Sequence, residues 1–268
     1  MKRLLTISLA ILAVLTVFTA CAPKTETDNV ITVAATPAPH AEILEQCKPI
    51  LEQQGYTLEV KVMNDYIIPN NATESGDVDA NYFQHTPYLD EFNASNGTHL
   101  VSVAKVHYEP FGIYKGTSDS LELPEGAKIA VPNDATNEAR ALLLLEANGL
   151  IKLTENAGLT ATKNDIVENP LNFEIVEMEA ALLPTVLDDV NIAVINGNYA
   201  ISANLKVSEA LATEDAASVA AQTYANILVV KEGNQENEKV VALKNALLSE
   251  TIAEYINNTY AGAVIALS

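Results

Sequence analysis

The stretch "NVITVAATPAPHAEILEQCKPILEQQGYTLEVKVM" (residues 29–63) decides the fold class. "NVITVAAT" is a short run rich in Val and Ile, of strand type. "PHAEILEQCKPILEQQG" predicts a helix closed by Gly55, with Pro49 kinking it or ending it early. "YTLEVKVM" alternates Leu58, Val60 and Val62 with Glu59 and Lys61, the period of a strand. Strand, helix and strand within about 35 residues make a βαβ unit, and hence a parallel sheet. The pattern recurs outward. "AKIAVPND" leads into a leucine-rich helix, and "FEIVEME" precedes "ALLPTVLDD" and "NIAVINGNYA". "YANILVVKEG" and the helical run "ENEKVVALKNALLSETIAEYINN" come last. The chain is therefore α/β, and such sheets bind ligands at loops leaving the C-terminal ends of their strands.

The first 20 residues stand outside this pattern. "MKRLLTISLAILAVLTVFTAC" has a basic start, an uncharged apolar stretch, then small residues before Cys21. This is the composition of a secretory signal rather than a membrane span. Small residues directly before a cysteine resemble the lipobox of bacterial lipoproteins, with Phe18 where an aliphatic is usual. That resemblance implies a signal peptide at 1–20, lipidation of Cys21, and a polar tether over 21–28.

The chain has 268 residues, 49% hydrophobic content and a net charge of -20. It has apolar material for a large core or two modest ones. The acidic balance and the lack of any basic run after residue 3 exclude nucleic acid as a partner. Beyond Cys21 only Cys47 remains, so no internal disulfide forms, and its helical face with Ile43, Ile50 and Leu51 makes it a core residue. There is no GxSxG elbow, Gly-rich phosphate loop, CxxC or HExxH, and no enzyme activity or cofactor is expected. Of the four histidines, at 40, 85, 99 and 107, His85 and His107 are the pair whose convergence would favour a metal; none is expected.

Aromatics concentrate in three loops: "MNDYIIPN" (63–70), "DANYFQHTPYLDEF" (79–92) and "KVHYEPFGIY" (105–114). Phe92 and Tyr114 suit core packing, whereas tyrosines and a histidine beside turn residues suit a pocket wall. Facing them in the middle segment stand "ENP" (168–170), Asn196 and Asn198, with Asn226 further on. Arg140 in "VPNDATNEARALLLLEANGL" (131–150) is the only arginine besides Arg3. A surface position, or an ion pair with Glu138 or Glu146, is the ordinary account of it. Yet lysine serves as the cation everywhere else, and arginine is the residue that grips a carboxylate through two parallel hydrogen bonds. Its helix opens with Asp134 or Thr136 as cap and closes with Gly149 at C′. An α-amino acid would place its carboxylate on Arg140, its ammonium on amide oxygens such as that of Asn196, and its side chain against the aromatics.

The motifs "ATPAPHAEILE", "NDYIIPN", "DANYFQHTPYLDEF", "VHYEPFGIY", "PNDATNEARALLLL", "VENP" and "INGNYA" together resemble the NlpA-type lipoproteins, the methionine-binding components of ABC importers. The resemblance runs from the lipobox to "NILVV" and weakens after it. It implies a two-lobed, type II periplasmic-binding-protein-like fold with a hinge and an interlobe ligand cleft. Lobe I would be 29–112 plus 226–268, and lobe II 113–225. By the same resemblance Arg140 holds the ligand's carboxylate, and Asn196 and Asn226 contact the amino acid. Tyr66, Phe83, His85, Tyr88 and Tyr108 then surround the thioether, a favourable contact for aromatic edges. The implied partners are L-methionine, an ABC permease with its ATPase, and the membrane through the lipid anchor. The variable stretch 204–224 leaves open another amino acid or a methionine-containing dipeptide. An extracellular interaction or adhesion lipoprotein, and a metal-binding lipoprotein, are the rivals from other classes.

Lipidation is tested by Cys21→Ser with the signal intact. A diacylated cysteine supplies two chains, enough for stable anchoring. The variant is expected in the soluble extracellular or periplasmic fraction; a variant as membrane-bound as the parent removes the lipoprotein assignment.

Overall fold

In a computed structural model of the chain, residues 29–215 and 222–267 are described; the expected signal, Cys21, the tether and part of 204–224 lie outside them. The 29–63 stretch forms β1 (Val30–Ala35), α1 (Glu42–Glu52) and β2 (Thr57–Val62), with β1 and β2 parallel. Helix α1 runs through Pro49 without breaking. Proline deprives only the Glu45 carbonyl of its helical donor, and Glu45 and Pro49 both face solvent. Gly55 lies beyond the helix with φ of 83°, where its amide hydrogen-bonds the Glu52 carbonyl. Cys47 is fully buried, as expected, beside Ile43, Leu44 and Leu51.

The chain continues as α2 (Ile68–Ser75), β3 (Ala80–His85), α3 (Thr86–Asn96) and β4 (Leu100–Tyr108). It then enters a second sheet through β5 (Gly112–Lys115), β6 (Lys128–Pro132) and α4 (Ala135–Ala147). A small ribbon of β7 (Lys152–Leu153) and β8 (Ile166–Glu168) precedes β9 (Glu174–Met178), β10 (Ile192–Ile195), α5 (Gly197–Ser202) and β11 (Ala212–Thr213). The "ALLPTVLDD" run between β9 and β10 is a 3-10 helix, Ala180–Asp189. Strand β12 (Asn226–Lys231) returns to the first sheet, followed by α6 (Glu238–Leu247), α7 (Glu250–Tyr260) and β13 (Ile265–Ala266). The long C-terminal helical run is thus two helices, because the chain leaves the helix at Leu248 and restarts with Ser249 as N-cap.

The strand order is β13-β4-β12-β3-β1-β2 in one sheet and β11-β5-β10-β6-β9 in the other. Each sheet has its own core. Ile31, Val33, Leu58, Leu228 and Leu243 belong to the first, and Ile129, Val131, Leu142, Leu145 and Val194 to the second. Each such aliphatic contributes about 1.5–3 kcal/mol by leaving water. This is a two-lobed α/β fold, and the strand ends that face the junction carry its polar residues.

Gly116, just after β5, tests how tightly the second lobe is built. A Cβ there would lie 2.6 Å from the Leu187 carbonyl oxygen and closer still to that of Val190. Backbone carbonyls cannot rotate away as a side chain can. Gly116→Ala is therefore expected to lose about 1–3 kcal/mol in chemical denaturation; unchanged stability would mean the 3-10 segment yields freely.

Candidate ligand-binding site

The site is assembled from strand ends. Helix α4 begins where Asp134 caps it, its side chain accepting the Asn137 amide at 3.0 Å. Its far end closes with Gly149 in the left-handed region, and the Leu150 amide bonds the Leu145 carbonyl. Both ends match the sequence expectation. Arg140 lies in the second turn, past the helix N-terminus, and is buried.

Its carboxylate partner is neither Glu138 nor Glu146. Glu138 accepts from the Lys163 amide and Glu146 from the Leu153 amide. Arg140 instead forms a two-pronged pair with Glu214, Nε to Oε1 at 2.8 Å and Nη2 to Oε2 at 2.5 Å. Nη2 also donates to the Glu109 carbonyl at 3.0 Å. Glu214 Oε2 additionally accepts from the Tyr108 hydroxyl and the Phe111 amide. The guanidinium stacks 4.2 Å from the Tyr224 ring centroid and 4.8 Å from that of Phe111. Burial alone would raise the Glu214 carboxyl, but Arg140 overrides it and holds it below its ordinary value. Among the described residues, Nη1 is the one guanidinium nitrogen with no hydrogen bond.

Arg140 lines a small cavity between the lobes, with about 20 Å³ of space that a water-sized sphere can occupy. Tyr66, Phe83 and Tyr88 line it too, with mutual ring separations of 5.6–6.0 Å. So do His85, Asn196 and Asn226. Tyr108 does not; it lies behind Arg140 and serves Glu214. Glu168–Pro170 is also absent from the lining, and Glu168 pairs with Lys152 in the ribbon. Phe92 and Tyr114 are core residues, as expected.

The hydrogen bonds in the cavity have fixed directions. The Asp134 carboxylate only accepts, so Asn137 turns its Nδ2 to it, at 2.9 and 3.0 Å. Asn137 Oδ1 then accepts from Asn196 Nδ2 at 3.0 Å and from His85 Nε2–H at 3.1 Å. His85 Nδ1 is left to accept the Tyr88 amide at 3.2 Å, which caps α3. Asn196 Oδ1 is left buried with no partner among the described residues, as is Asn198 Nδ2. The Asn198 Oδ1 accepts the Tyr66 hydroxyl at 2.6 Å, and the Tyr199 hydroxyl donates to the Asn64 carbonyl at 3.2 Å. Tyr66, Asn64 and His85 come from the first sheet's side and Asn198, Tyr199 and Asn137 from the second's, so these bonds tie the lobes together.

His107 converges not with His85 but with His40. The ligand atoms of His40, His107 and Glu109 lie within 4.8 Å of one another, the one such grouping among the described residues. Their donors are already engaged. His107 Nε2 donates to Glu109 Oε1 at 2.7 Å, and His40 Nε2 donates to Asn226 Oδ1 at 2.9 Å, with Glu109 Oε1 at 3.4 Å. The other ring nitrogens face the Tyr82 and Thr36 hydroxyls. A metal would have to displace this network, so the cluster reads as a hydrogen-bonded support for Asn226.

Asn137, Glu109 and Glu214 were not singled out in the sequence. Asn137 and Glu109 lie inside the motifs "PNDATNEARALLLL" and "VHYEPFGIY". Glu214 lies in a stretch of mixed composition that offers no signal at all.

A two-lobed α/β protein with an aromatic and amide-lined cavity between its lobes is a small-molecule binding protein in class. The family model for NlpA lipoprotein matches residues 31–268. The chain belongs to that family. A methionine-binding lipoprotein, MetQ, of Bacillus subtilis is 41% identical over 244 residues, covering 89% of this chain and 88% of the relative. The crystal structure of a lipoprotein from Ruminococcus gnavus superposes with TM-score 0.89 at 58% identity, covering 90% of this chain and 100% of that one. A nutrient-binding protein from Burkholderia cenocepacia, solved bound to methionine, gives TM-score 0.85 at 41% identity, covering 89% and 100%. No helix among the described residues is long and apolar enough to cross a membrane.

The network fixes the state of His85. Burial, then the nearby Arg140 charge, push its imidazole down to about 3. An unfolded histidine titrates near 6.5. The unfolded state therefore binds the proton first, and the group's contribution to stability declines as pH falls from about 6.5 toward 3. Nitrogen NMR of the folded protein at pH 5 is expected to find His85 neutral with its proton on Nε2; a protonated ring at that pH would break the Asn137 hydrogen-bond directions.

Proposed function

We propose that the protein is the extracytoplasmic, lipid-anchored substrate-binding component of an ABC importer. It binds L-methionine between its lobes and delivers it to a permease with its ATPase. One observation carries this: a guanidinium and an unpartnered amide oxygen share a small cavity with three aromatic rings packed tilted and edge-on. An α-amino acid with an apolar, polarisable side chain satisfies all three. Arg140 Nη1 takes the carboxylate end-on, since Nε and Nη2 are held by Glu214 and Glu109. Asn196 Oδ1 accepts from the ammonium. Asn226, whose Oδ1 is held by His40, turns Nδ2 to the ligand. Tyr66, Phe83, Tyr88 and the edge of His85 surround the thioether. The names of the relatives support methionine without specifying its L form, and the lipobox at Cys21 supports the anchor. Lobe I is 29–112 plus 226–268 and lobe II 113–225, with the hinge at the two crossings.

A longer ligand is the second reading. A neighbouring cavity of about 290 Å³ shares Tyr66 and Tyr88 with the first, so a methionine-containing dipeptide would have somewhere to extend.

Ligand-stripped mature protein is expected to gain about 2.7 kcal/mol at a methionine concentration one hundred times Kd. Zinc is expected to give no comparable gain. Stabilisation by zinc or by a dipeptide and none by methionine overturns the assignment. Methioninamide lacks the carboxylate and should bind at least about thirtyfold more weakly. Arg140→Lys should lose affinity too, because a single ammonium cannot hold Glu214 in a two-pronged pair and still reach the ligand as the third guanidinium nitrogen does. Arg140→Ala leaves Glu214 buried and unpaired, at about 3–5 kcal/mol of stability, so calorimetric titration of the lysine variant is the cleaner measurement.

A further inference from the structure

We infer that Glu109 is the counter-charge for the ligand's α-ammonium, and so the residue that restricts this site to ligands carrying a free amine. The inference rests on the amino-acid reading above and adds a residue to it.

Among the residues lining the cavity, Glu109 is the one carboxylate and Arg140 the one permanent cation. Glu109 is buried. Its carboxylate accepts from His107 Nε2 at 2.7 Å and from the Asn198 main-chain amide, and His40 Nε2 lies 3.4 Å away while donating to Asn226. Burial keeps both neutral, lowering His107 to about 3 and His40 to about 4. Arg140 reaches only the main-chain carbonyl of Glu109, and its own charge is matched by Glu214. Glu109 is thus a carboxylate sunk in the protein with donors around it and no cation in contact. Burial pushes its carboxyl above the ordinary value, which is the mark of that missing charge. Proteins rarely keep such a group without a use for it.

The neighbouring atoms indicate the use. Gly197 lies against Glu109, where any Cβ would sit 2.7 Å from the Glu109 Cβ and 2.8 Å from Oε2. The absent side chain lets the start of α5 close on the carboxylate. The residue before that glycine, Asn196, holds the unpartnered Oδ1. An acceptor without a donor and a carboxylate without a counter-charge therefore adjoin one another. The Nη2 bond to the Glu109 carbonyl sets the guanidinium beside the same residue. An α-amino acid carries its two charges on one carbon, and a carboxylate site next to an ammonium site is the arrangement it needs. His40 and His107, fixed from behind by Thr36 and Tyr82, hold the Glu109 carboxylate in place.

Charge and hydrogen bonding are separated by the ligand alone. 2-Hydroxy-4-(methylsulfanyl)butanoate keeps the carboxylate, the thioether and a hydroxyl that can donate to Asn196 Oδ1, but has no positive charge. The unaltered protein should bind it at least about thirtyfold more weakly than methionine, because an uncompensated buried charge is what the missing ammonium leaves behind. Binding within about threefold of methionine overturns the inference, and this arm needs no variant to fold. Glu109→Gln keeps an acceptor for His107 and removes the charge. It should lose about thirtyfold or more for methionine while its affinity for the hydroxy acid stays within about threefold, so the preference collapses. A folded Gln variant that keeps the preference, or that loses both ligands by the same factor, overturns the assignment in favour of a structural role. Failure of the unaltered protein to bind methionine would instead remove the proposed function itself.

Discussion

The buried pair of Arg140 and Glu214 is the constraint around which the junction of the lobes is arranged. A guanidinium this far from water is tolerable only with a carboxylate in bidentate contact and its remaining faces covered. Glu214 supplies the first, and Tyr224, Phe111 and Tyr108 supply the second. The same carboxylate takes the Phe111 amide and the Tyr108 hydroxyl, both at the crossing between the sheets. One residue of lobe II thus fixes the cation, the crossing strand and the aromatic wall behind them. The cation is left with one nitrogen, Nη1, without a hydrogen bond among the described residues.

A second, uncharged chain of consequence runs from Asp134. Because a carboxylate cannot donate, it sets Asn137; Asn137 sets both Asn196 and the tautomer of His85. His85 in turn caps α3. The start of two helices and the polarity of the cavity are therefore one hydrogen-bonded system. Removing any member would leave a buried donor or acceptor unpaired, at about 1–3 kcal/mol each.

The alternation of Leu58, Val60 and Val62 and the capped helix at 134–149 were legible in the sequence, since each is set by local periodicity and capping. So were the aromatic wall of Tyr66, Phe83 and Tyr88 and the place of Arg140, through their motifs. What sequence could not supply was pairing at long range. Arg140 and Glu214 are 74 residues apart, and Glu138, two residues away, was the natural guess. Helix geometry points Glu138 toward Lys163 instead. Tyr108 was misplaced for a related reason. Its hydroxyl pairs with Glu214, 106 residues further on, which no local pattern reveals. Pro49 failed to break α1 because it removes the helical donor of the Glu45 carbonyl alone, and both residues face solvent.

Closure of such a cleft is finely balanced by these same groups. The cross-lobe bonds of Tyr66 with Asn198, Tyr199 with Asn64 and His85 with Asn137 are between neutral partners. Each contributes about 0.5–1.5 kcal/mol net. Against them stand Asn196 Oδ1 and Asn198 Nδ2, which no described residue satisfies and which water would satisfy in an open cleft. Their cost, about 1–3 kcal/mol each, is of the same size as the gain. A ligand that partners both a charge and these atoms only in the closed form contributes its full differential affinity to closure. A ligand that fills the aromatic end alone contributes little. On the function proposed above, the unpaired atoms in the cavity are thus what would make closing depend on the right ligand.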